Sequence, residues 1–373
     1  MRILHLGKYY APAKGGMETA LRHTAEGLLS AGHEVRVLVA GHAHETVRED
    51  LPGSPGSLIR AGVLATWNSQ PLTLSLPGLL YQEMERFHPD VVHLHLPNPL
   101  ACWAWRRVSG LARSRGTALA VWHHSDIMRQ RFTGRLVKPL VDGCLAAADG
   151  ICVSSMALRE HSTQLAPWRQ RVQVIPFGID PEPYNQADPS GEGPFLFVGR
   201  LVEYKGLDVL LDAMVGLPDA QLDIVGTGPR RDHLAARLTK LGLTSRVRLL
   251  GAVDDGELPT LLARSRALVL PSRDSSETFG LILLEAMAAG LPLVTSDLPT
   301  GVRELNRPGE TGWVARPGDS QDLQRALAAV LADPAEALRR GRNGRAMVHQ
   351  TFGRDEFASR LLSFYSGLMT SNR

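Results

Sequence analysis

The 373-residue sequence is poor in cysteine, with only Cys102, Cys144 and Cys152. Three is an odd number and no Cys-x-x-Cys pair occurs, so neither a disulfide framework nor a cysteine zinc site is indicated, and a reduced, cytosolic setting is expected. Long apolar runs are also missing. No stretch approaches the roughly 18 to 20 uninterrupted apolar residues that a membrane-spanning helix requires. The opening Met1-Arg2-Ile3-Leu4-His5-Leu6-Gly7 reads as a strand entering a glycine loop, not as a basic segment leading into an apolar core and a small-residue cleavage site. No signal peptide is therefore expected. Apolar residues at 44% and charged residues at 21% are ordinary globular values, which argue against disorder and against a fibre. At roughly 150 residues per domain, the length suggests about two cores.

The net charge of +3 is small but unevenly spread. Residues 1–180 carry 19 Lys/Arg against 14 Asp/Glu, a balance of +5, and the remainder carries 22 against 24, a balance of −2. Within the first part, Arg106, Arg107, Arg113, Arg115, Arg129, Arg131, Arg135 and Lys138 are opposed in their span only by Asp126. An anionic surface as partner fits this lobe, and solvated arginines on amphipathic helices are the alternative. No nucleic-acid partner is expected.

The pattern along the chain is that of alternating strands and helices. Arg2–Gly7 reads as a strand, Gly15-Gly16 as a loop, the segment from about Met17 as a helix with Met17, Leu21, Ala25, Leu28 and Leu29 on one face, and Glu34–Ala40 as a second strand. Asp90–Leu96, Ala118–Trp122 and Gly150–Ser154 resemble buried parallel strands. Residues 41–80 are too rich in Gly, Pro, Ser and Thr to assign. A Pro/Gly-rich tract from Ile175 to Pro194 suits a connection between domains. The alternation then restarts with strands Phe195–Val198, Leu222–Val225, Val247–Leu250, Ala267–Leu270 and Leu293–Thr295, separated by helices that include Phe279–Ala289. The tail from Ser320 is helical. The expected fold class is α/β, with two doubly wound domains whose ligands lie beyond the carboxyl ends of the strands.

Candidate chemistry follows those strand ends. Gly15-Gly16 before the first helix would let an oxyanion approach the backbone, although the pattern is not G-x-G-x-x-G and no acid ends the second strand to hold a ribose, which disfavours a dinucleotide dehydrogenase. Arg200 and Lys205 in Gly199–Gly206 put two cations beyond one strand end, suited to a leaving diphosphate. Glu277 and Glu285 bracket Phe279, Gly280 and Leu281. Eight helical residues between these carboxylates would rise about 12 Å, too far for a glycosidase pair. That spacing matches the sugar and ribose ends of a sugar nucleotide, with its diphosphate over the intervening amides. Eleven of the thirteen histidines lie in residues 1–161, including His93, His95, His123 and His124. Without acidic partners at ligand spacing they do not suggest a metal site, and His123 is the candidate hydrogen-bond donor to substrate.

The early Gly-Gly loop, "VIPFGID", "VGRLVEYKGLDVLL", "IVGTGP", "ETFGLILLEAMAAGLPLV" and "GETGWVARPGD", in this order, resemble the retaining glycosyltransferases of family 4. "HLHLPNP" and "FVGRLVEYKG" look most like the bacterial mannosyl- and rhamnosyltransferases of O-antigen assembly. The resemblance implies the GT-B fold: two Rossmann-like domains, 1–178 on the acceptor side and 179–352 on the donor side, facing across a cleft, with the helix 353–373 packed back on the first. It implies that Arg200 and Lys205 grip the diphosphate of a nucleotide-sugar donor, that Glu277 contacts the hexose and Glu285 the ribose, that Gly15 and Gly16 cover the phosphate, and that His123 lies near the transferred sugar. The acceptor would be a glycan or lipid-linked sugar, met by a protein in the cytoplasm or peripheral at an anionic membrane face. No cofactor and no metal are expected, since two cations can replace a divalent ion and no D-x-D follows a strand. A transferase using a small soluble acceptor, an epimerase or hydrolase of this architecture, and a non-catalytic binding protein are the competing readings.

Overall fold

The computed structural model describes residues 1–51, 54–67, 70–126, 133–185, 189 and 191–371. The chain forms two compact units, Met1–Phe177 with Arg354–Arg373, and Gly178–Gly353. Of the connecting tract read from the sequence, 186–188 and 190 lie outside the described residues.

The first unit is built on β1 (Arg2–Leu6), α1 (Gly16–Ser30), β2 (Glu34–Ala40), β3 (Val47–Leu51), β4 (Ser54–Ala61), β5 (Ala65–Trp67), β6 (Gln70–Leu72), α2 (Leu76–Arg86), β7 (Val91–Leu96), α3 (Pro99–Ser114), β8 (Ala118–His123), α4 (Thr133–Ala147), β9 (Gly150–Val153), α5 (Met156–His161) and β10 (Val172–Val174). Its main sheet runs β10-β9-β8-β7-β1-β2-β4-β3. Every residue of β7 and β8 is buried, which is why both read as unbroken apolar runs with histidines in them: helices cover the sheet on two faces. The 41–80 region, unassigned from sequence, holds two departures from a parallel sheet. β3 is an antiparallel edge strand on β4, and β5 with β6 forms a separate two-stranded sheet. Glu83 of α2, fully buried, secures this edge by accepting from Arg36 of β2 and Arg48 of β3, each at 2.5 Å.

The second unit contains β11 (Phe195–Val198), α6 (Leu207–Val215), β12 (Leu222–Val225), α7 (Arg231–Lys240), β13 (Val247–Gly251), α8 (Leu258–Ala263), β14 (Ala267–Leu270), α9 (Leu281–Ala288), β15 (Leu293–Ser296), α10 (Gly301–Leu305), β16 (Gly312–Ala315), α11 (Ser320–Ala332) and α12 (Pro334–Thr351). Its all-parallel sheet runs β13-β12-β11-β14-β15-β16. The last helix, α13 (Arg354–Ser371), returns to the first unit. There it buries Phe357, Leu361, Phe364, Tyr365 and Leu368. Tyr365 shares a hydrogen bond of 2.6 Å with His93 Nδ1, and Phe357 meets Trp122 at 5.8 Å between ring centroids.

In both sheets the direction of winding reverses at one place, between β1 and β7 in the first unit and between β11 and β14 in the second. Crevices of doubly wound sheets open at such reversals, beyond the carboxyl ends of the two strands.

Candidate active site

In the second unit the loops leaving β11 and β14 at the reversal are locked together by their backbones. The β11 loop closes at Gly206, whose φ of 70° suits glycine, and a Cβ there would stand 2.0 Å from the Pro271 carbonyl oxygen. Two residues further on, the Arg273 N–H donates to the Tyr204 carbonyl at 2.7 Å. This approach brings Lys205 and Glu277, 72 positions apart, into contact: Lys205 Nζ donates to Glu277 Oε2 at 2.5 Å. The Ser272 hydroxyl donates to the same oxygen at 2.9 Å. Lys205, Glu277 and Ser272 are 8%, 6% and 0% exposed, so the pair is largely removed from solvent. Burial pulls the Lys205 ammonium toward the neutral form, but Glu277 beside it outweighs that and holds its pKa above the ordinary lysine value. Arg200 acts in the opposite sense, which places its charge within reach of Lys205. Arg200 is exposed and has no ion-pair partner among the described residues.

The segment 277–281 differs from the helix read in the sequence. Glu277 lies in a turn, its N–H donating to the Asp274 carbonyl at 3.2 Å, and α9 starts only at Leu281. Gly280 is the N-cap, with φ 78°, a conformation that ends the preceding turn and costs a glycine little. Only Leu281 to Glu285 is helical, a rise of about 6 Å, so the separation of the two carboxylates does not come from two turns of helix. Gly280 carries no capping side chain, which leaves the first amides of α9, including that of Leu281, without a cap of their own. Phe279 is buried. Glu285 is half-buried.

In the first unit, Gly15 is the N-cap of α1 and Gly16 its first residue. A Cβ on Gly16 would meet nothing within 4 Å, whereas one on Gly15 would meet the Glu18 carboxylate at 2.3 Å. The helix start thus has an anion of its own beside it.

His123, at the end of β8, is fully buried. Its Nε2 lies 2.9 Å from Asp126 Oδ1, and its Nδ1 has no partner among the described residues. Asp126 also accepts from the Ser162 hydroxyl at 2.5 Å, the Thr163 N–H at 2.9 Å and the Thr163 hydroxyl at 3.1 Å. Burial pushes this carboxyl up, but the bonds from His123 and Ser162 prevail and hold it well below the usual carboxylate range. An ionised carboxylate only accepts, so Nε2 carries a proton, and in a neutral ring Nδ1 then holds a lone pair. The neutral ring can accept from a hydroxyl at Nδ1, and a protonated ring can donate there, the role expected from the sequence.

The other histidines form a separate group on one face of the sheet. His5 Nδ1 lies 3.1 Å from His95 Nε2, and His95 Nδ1 lies 2.9 Å from His124 Nε2. His5, His93 and His95 could also offer nitrogens within 4.8 Å of one another to a cation. Burial lowers the pKa of His5 and of His124 to about 3 and those of His93 and His95 well below the ordinary value, so all four are neutral near pH 7.

Of the basic residues marked in the sequence, Arg106, Arg107 and Arg113 are exposed on α3. Arg115 pairs with Glu85 at 2.8 Å, and Lys138 pairs with Asp142. Arg129 and Arg131 lie outside the described residues, as does the side chain of Arg135. Among the described residues Asp126 pairs with none of them: its oxygens serve His123 and residues 162–164. Among the described residues no helix is long and apolar enough to cross a membrane.

Ser272 and Asp126 are the two contributors that sequence reasoning missed. The signal for Ser272 is its place just past the end of β14; Asp126 stands three residues after His123.

Comparison with known proteins identifies the family and the fold. The family model "Glycosyltransferase Family 4" matches residues 14–183, and "Glycosyl transferases group 1" matches residues 182–347. The chain is 33% identical over 368 residues to the D-rhamnosyltransferase WbpZ of Pseudomonas aeruginosa, covering 94% of this chain and 92% of that one. It is 28% identical over 387 residues to O-antigen chain mannosyltransferase C of Escherichia coli, covering both chains fully. Among solved structures, Anabaena HepE in complex with UDP-glucose superposes with a TM-score of 0.79 at 22% identity, over 98% of this chain and 100% of that one. Two family models that together span nearly the whole sequence, and a relative one-third identical along its length, establish that the chain belongs to the family 4 glycosyltransferases and has the GT-B fold.

Proposed function

We propose that this glycosyltransferase is a retaining hexosyltransferase of cell-surface polysaccharide assembly. It takes a hexose from a nucleoside-diphosphate sugar, GDP-mannose or a close analogue in preference to a UDP-sugar, and attaches it to a hydroxyl of a glycan or lipid-linked acceptor. The observation that carries the reading is the meeting of Lys205 and Glu277 at the sheet reversal, with Arg200, which has no ion-pair partner among the described residues, close by. The preference for a mannose-type donor and a surface-glycan acceptor rests on the mannosyl- and rhamnosyltransferase relatives.

In this reading Arg200 and Lys205 take the diphosphate and the free amides at Gly280 and Leu281 assist them. As the anomeric C–O bond breaks, charge grows on the departing phosphate, and each such donor contributes about 2 to 4 kcal/mol of barrier lowering. Glu277 meets the hexose hydroxyls and Glu285 the ribose. Gly15 and Gly16 approach the donor phosphate, and His123 accepts a sugar hydroxyl. The phosphate oxygen that leaves takes the proton of the acceptor hydroxyl on the same face, so the new C–O bond keeps the donor's anomeric configuration. The cations serve where other transferases employ a divalent ion.

The test is transfer from GDP-mannose to a mannose-terminated lipid-linked glycan in the presence of EDTA, with the product anomer read by NMR. Retained configuration with full turnover is expected. Inverted configuration, loss of turnover on chelation, or GDP release that needs no acceptor overturns the reading.

A further inference from the structure

We propose that Ser272 is a positioning residue for transfer: its hydroxyl keeps the Glu277 carboxylate in place when an incoming nucleoside diphosphate draws the Lys205 ammonium away. The inference rests on the functional reading above, in which Glu277 meets the hexose and Lys205 the diphosphate.

Two donors converge on a single oxygen. Glu277 Oε2 accepts from Lys205 Nζ at 2.5 Å and from Ser272 Oγ at 2.9 Å. They differ in what a ligand can do to them. Lysine is a point charge on a flexible four-carbon stem, and a diphosphate with two or more negative charges competes effectively with one carboxylate for it. When Nζ turns to the phosphate, a carboxylate only 6% exposed loses its charged partner. Such a group then reorients or takes up a proton unless another donor remains.

Ser272 is that donor, and it cannot follow the phosphate. Its hydroxyl sits on a one-carbon lever, the residue is fully buried, and its backbone is held on both sides. Pro271 lies against Gly206, and the Arg273 N–H is bonded to the Tyr204 carbonyl. Glu277 needs this support because it stands in a turn, ahead of the first residue of α9. The donor-free pair is thus a resting state in which Glu277 occupies Lys205, and Ser272 is the contact that persists through both states.

The experiment measures GDP binding by calorimetry and transfer from GDP-mannose to a mannose-terminated lipid-linked glycan for Ser272→Ala, Ser272→Thr and Glu277→Gln. Ser272→Ala is expected to lower kcat about ten- to hundredfold while GDP affinity stays within about twofold, and Ser272→Thr, which keeps the hydroxyl, to recover most of the loss. In a Glu277→Gln background the Ser272→Ala change should cost less than about twofold, because both act through one group. Glu277→Gln alone frees Lys205 and should tighten GDP binding about three- to tenfold while transfer falls. Parallel loss of GDP affinity and kcat in Ser272→Ala, an undiminished loss in the Glu277→Gln background, or weaker GDP binding by Glu277→Gln overturns the role of Ser272. Failure of the unaltered protein to bind any nucleoside diphosphate overturns the functional reading itself, and this inference with it.

Discussion

His123 donates from Nε2 to Asp126 Oδ1 at 2.9 Å, and that one bond determines which nitrogen of the imidazole is left for a ligand. Asp126 Oδ2 accepts from the Thr163 N–H, the Thr163 hydroxyl and the Gln164 N–H. An asparagine at 126 must therefore keep its oxygen on that side and turn its NH2 toward His123. The ring would then accept at Nε2 and carry its proton on Nδ1. Nitrogen NMR of His123 should show an Nε2–H tautomer in the unaltered protein and Nδ1–H in Asp126→Asn, with transfer reduced about tenfold or more. A shared tautomer in the two proteins would contradict the geometry. Asp126 also has a depressed folded pKa, so its stabilising contribution is present above the ordinary carboxylate pKa of about 3.9 and is lost as pH falls below it.

Lys205→Met strands a buried carboxylate on Ser272 alone and should destabilise the second unit by about 3 to 5 kcal/mol, whereas Lys205→Met with Glu277→Gln should regain much of this without regaining activity. Chemical denaturation of the three proteins checks the pattern. Because the folded pKa of Lys205 is raised, the contribution of its charge is fully present below the ordinary lysine value of about 10.4. It disappears as pH rises through the folded value. Additive destabilisation in the double variant would mean that the two groups are not coupled.

Acid should loosen the first unit through its neutral histidines. His5 and His124 have folded pKa values of about 3. The unfolded chain binds their protons from about pH 6.5 downward, so between those limits each removes about 1.4 kcal/mol per pH unit. Stability measured from pH 7 to pH 5 should fall with a slope that His5→Gln and His124→Gln reduce. Variants with the full slope of the unaltered protein would show that these rings do not titrate on unfolding.

Exposed Arg106, Arg107 and Arg113 give α3 a cationic surface facing solvent. If the acceptor is presented at an anionic membrane, each is worth about 1 kcal/mol of attraction near the headgroups. Replacing all three by glutamine should weaken sedimentation with phosphatidylglycerol vesicles at low salt about a hundredfold, and unchanged sedimentation would remove this surface from the mode of acceptor encounter.

Much of the fold was legible because its strands are buried on both faces and spell continuous apolar runs. Arg200, Lys205 and Glu277 stood out as charged residues just past such runs, where a doubly wound sheet gathers its ligands. The edge was not legible. β3, Val-Arg-Glu-Asp-Leu, is exposed at four of its five positions, so no burial pattern marks it as a strand. α9 begins later than its apolar sequence suggests because Gly280 takes a left-handed conformation that only the backbone reveals. Ser272 gave no signal because one serine in a loop is unremarkable until a carboxylate from five positions on folds back to it. Asp126 stood out only as a charge among nearby arginines, and its partners among the described residues, His123 and residues 162–164, come from the strand end beside it and from a loop some 36 residues away.

The most direct measurement is the melting temperature of the purified protein against GDP, GDP-mannose, UDP and UDP-glucose, with Arg200→Ala and Glu285→Ala alongside. A ligand bound only by the native fold adds about 2.7 kcal/mol at a hundred times its dissociation constant. Stabilisation by GDP and GDP-mannose, and its loss in both variants, is the expected result. Stabilisation by the uridine nucleotides alone would contradict the assignment of the donor, and no response to any of the four would contradict the placing of a nucleotide-sugar site at Arg200, Lys205, Glu277 and Glu285.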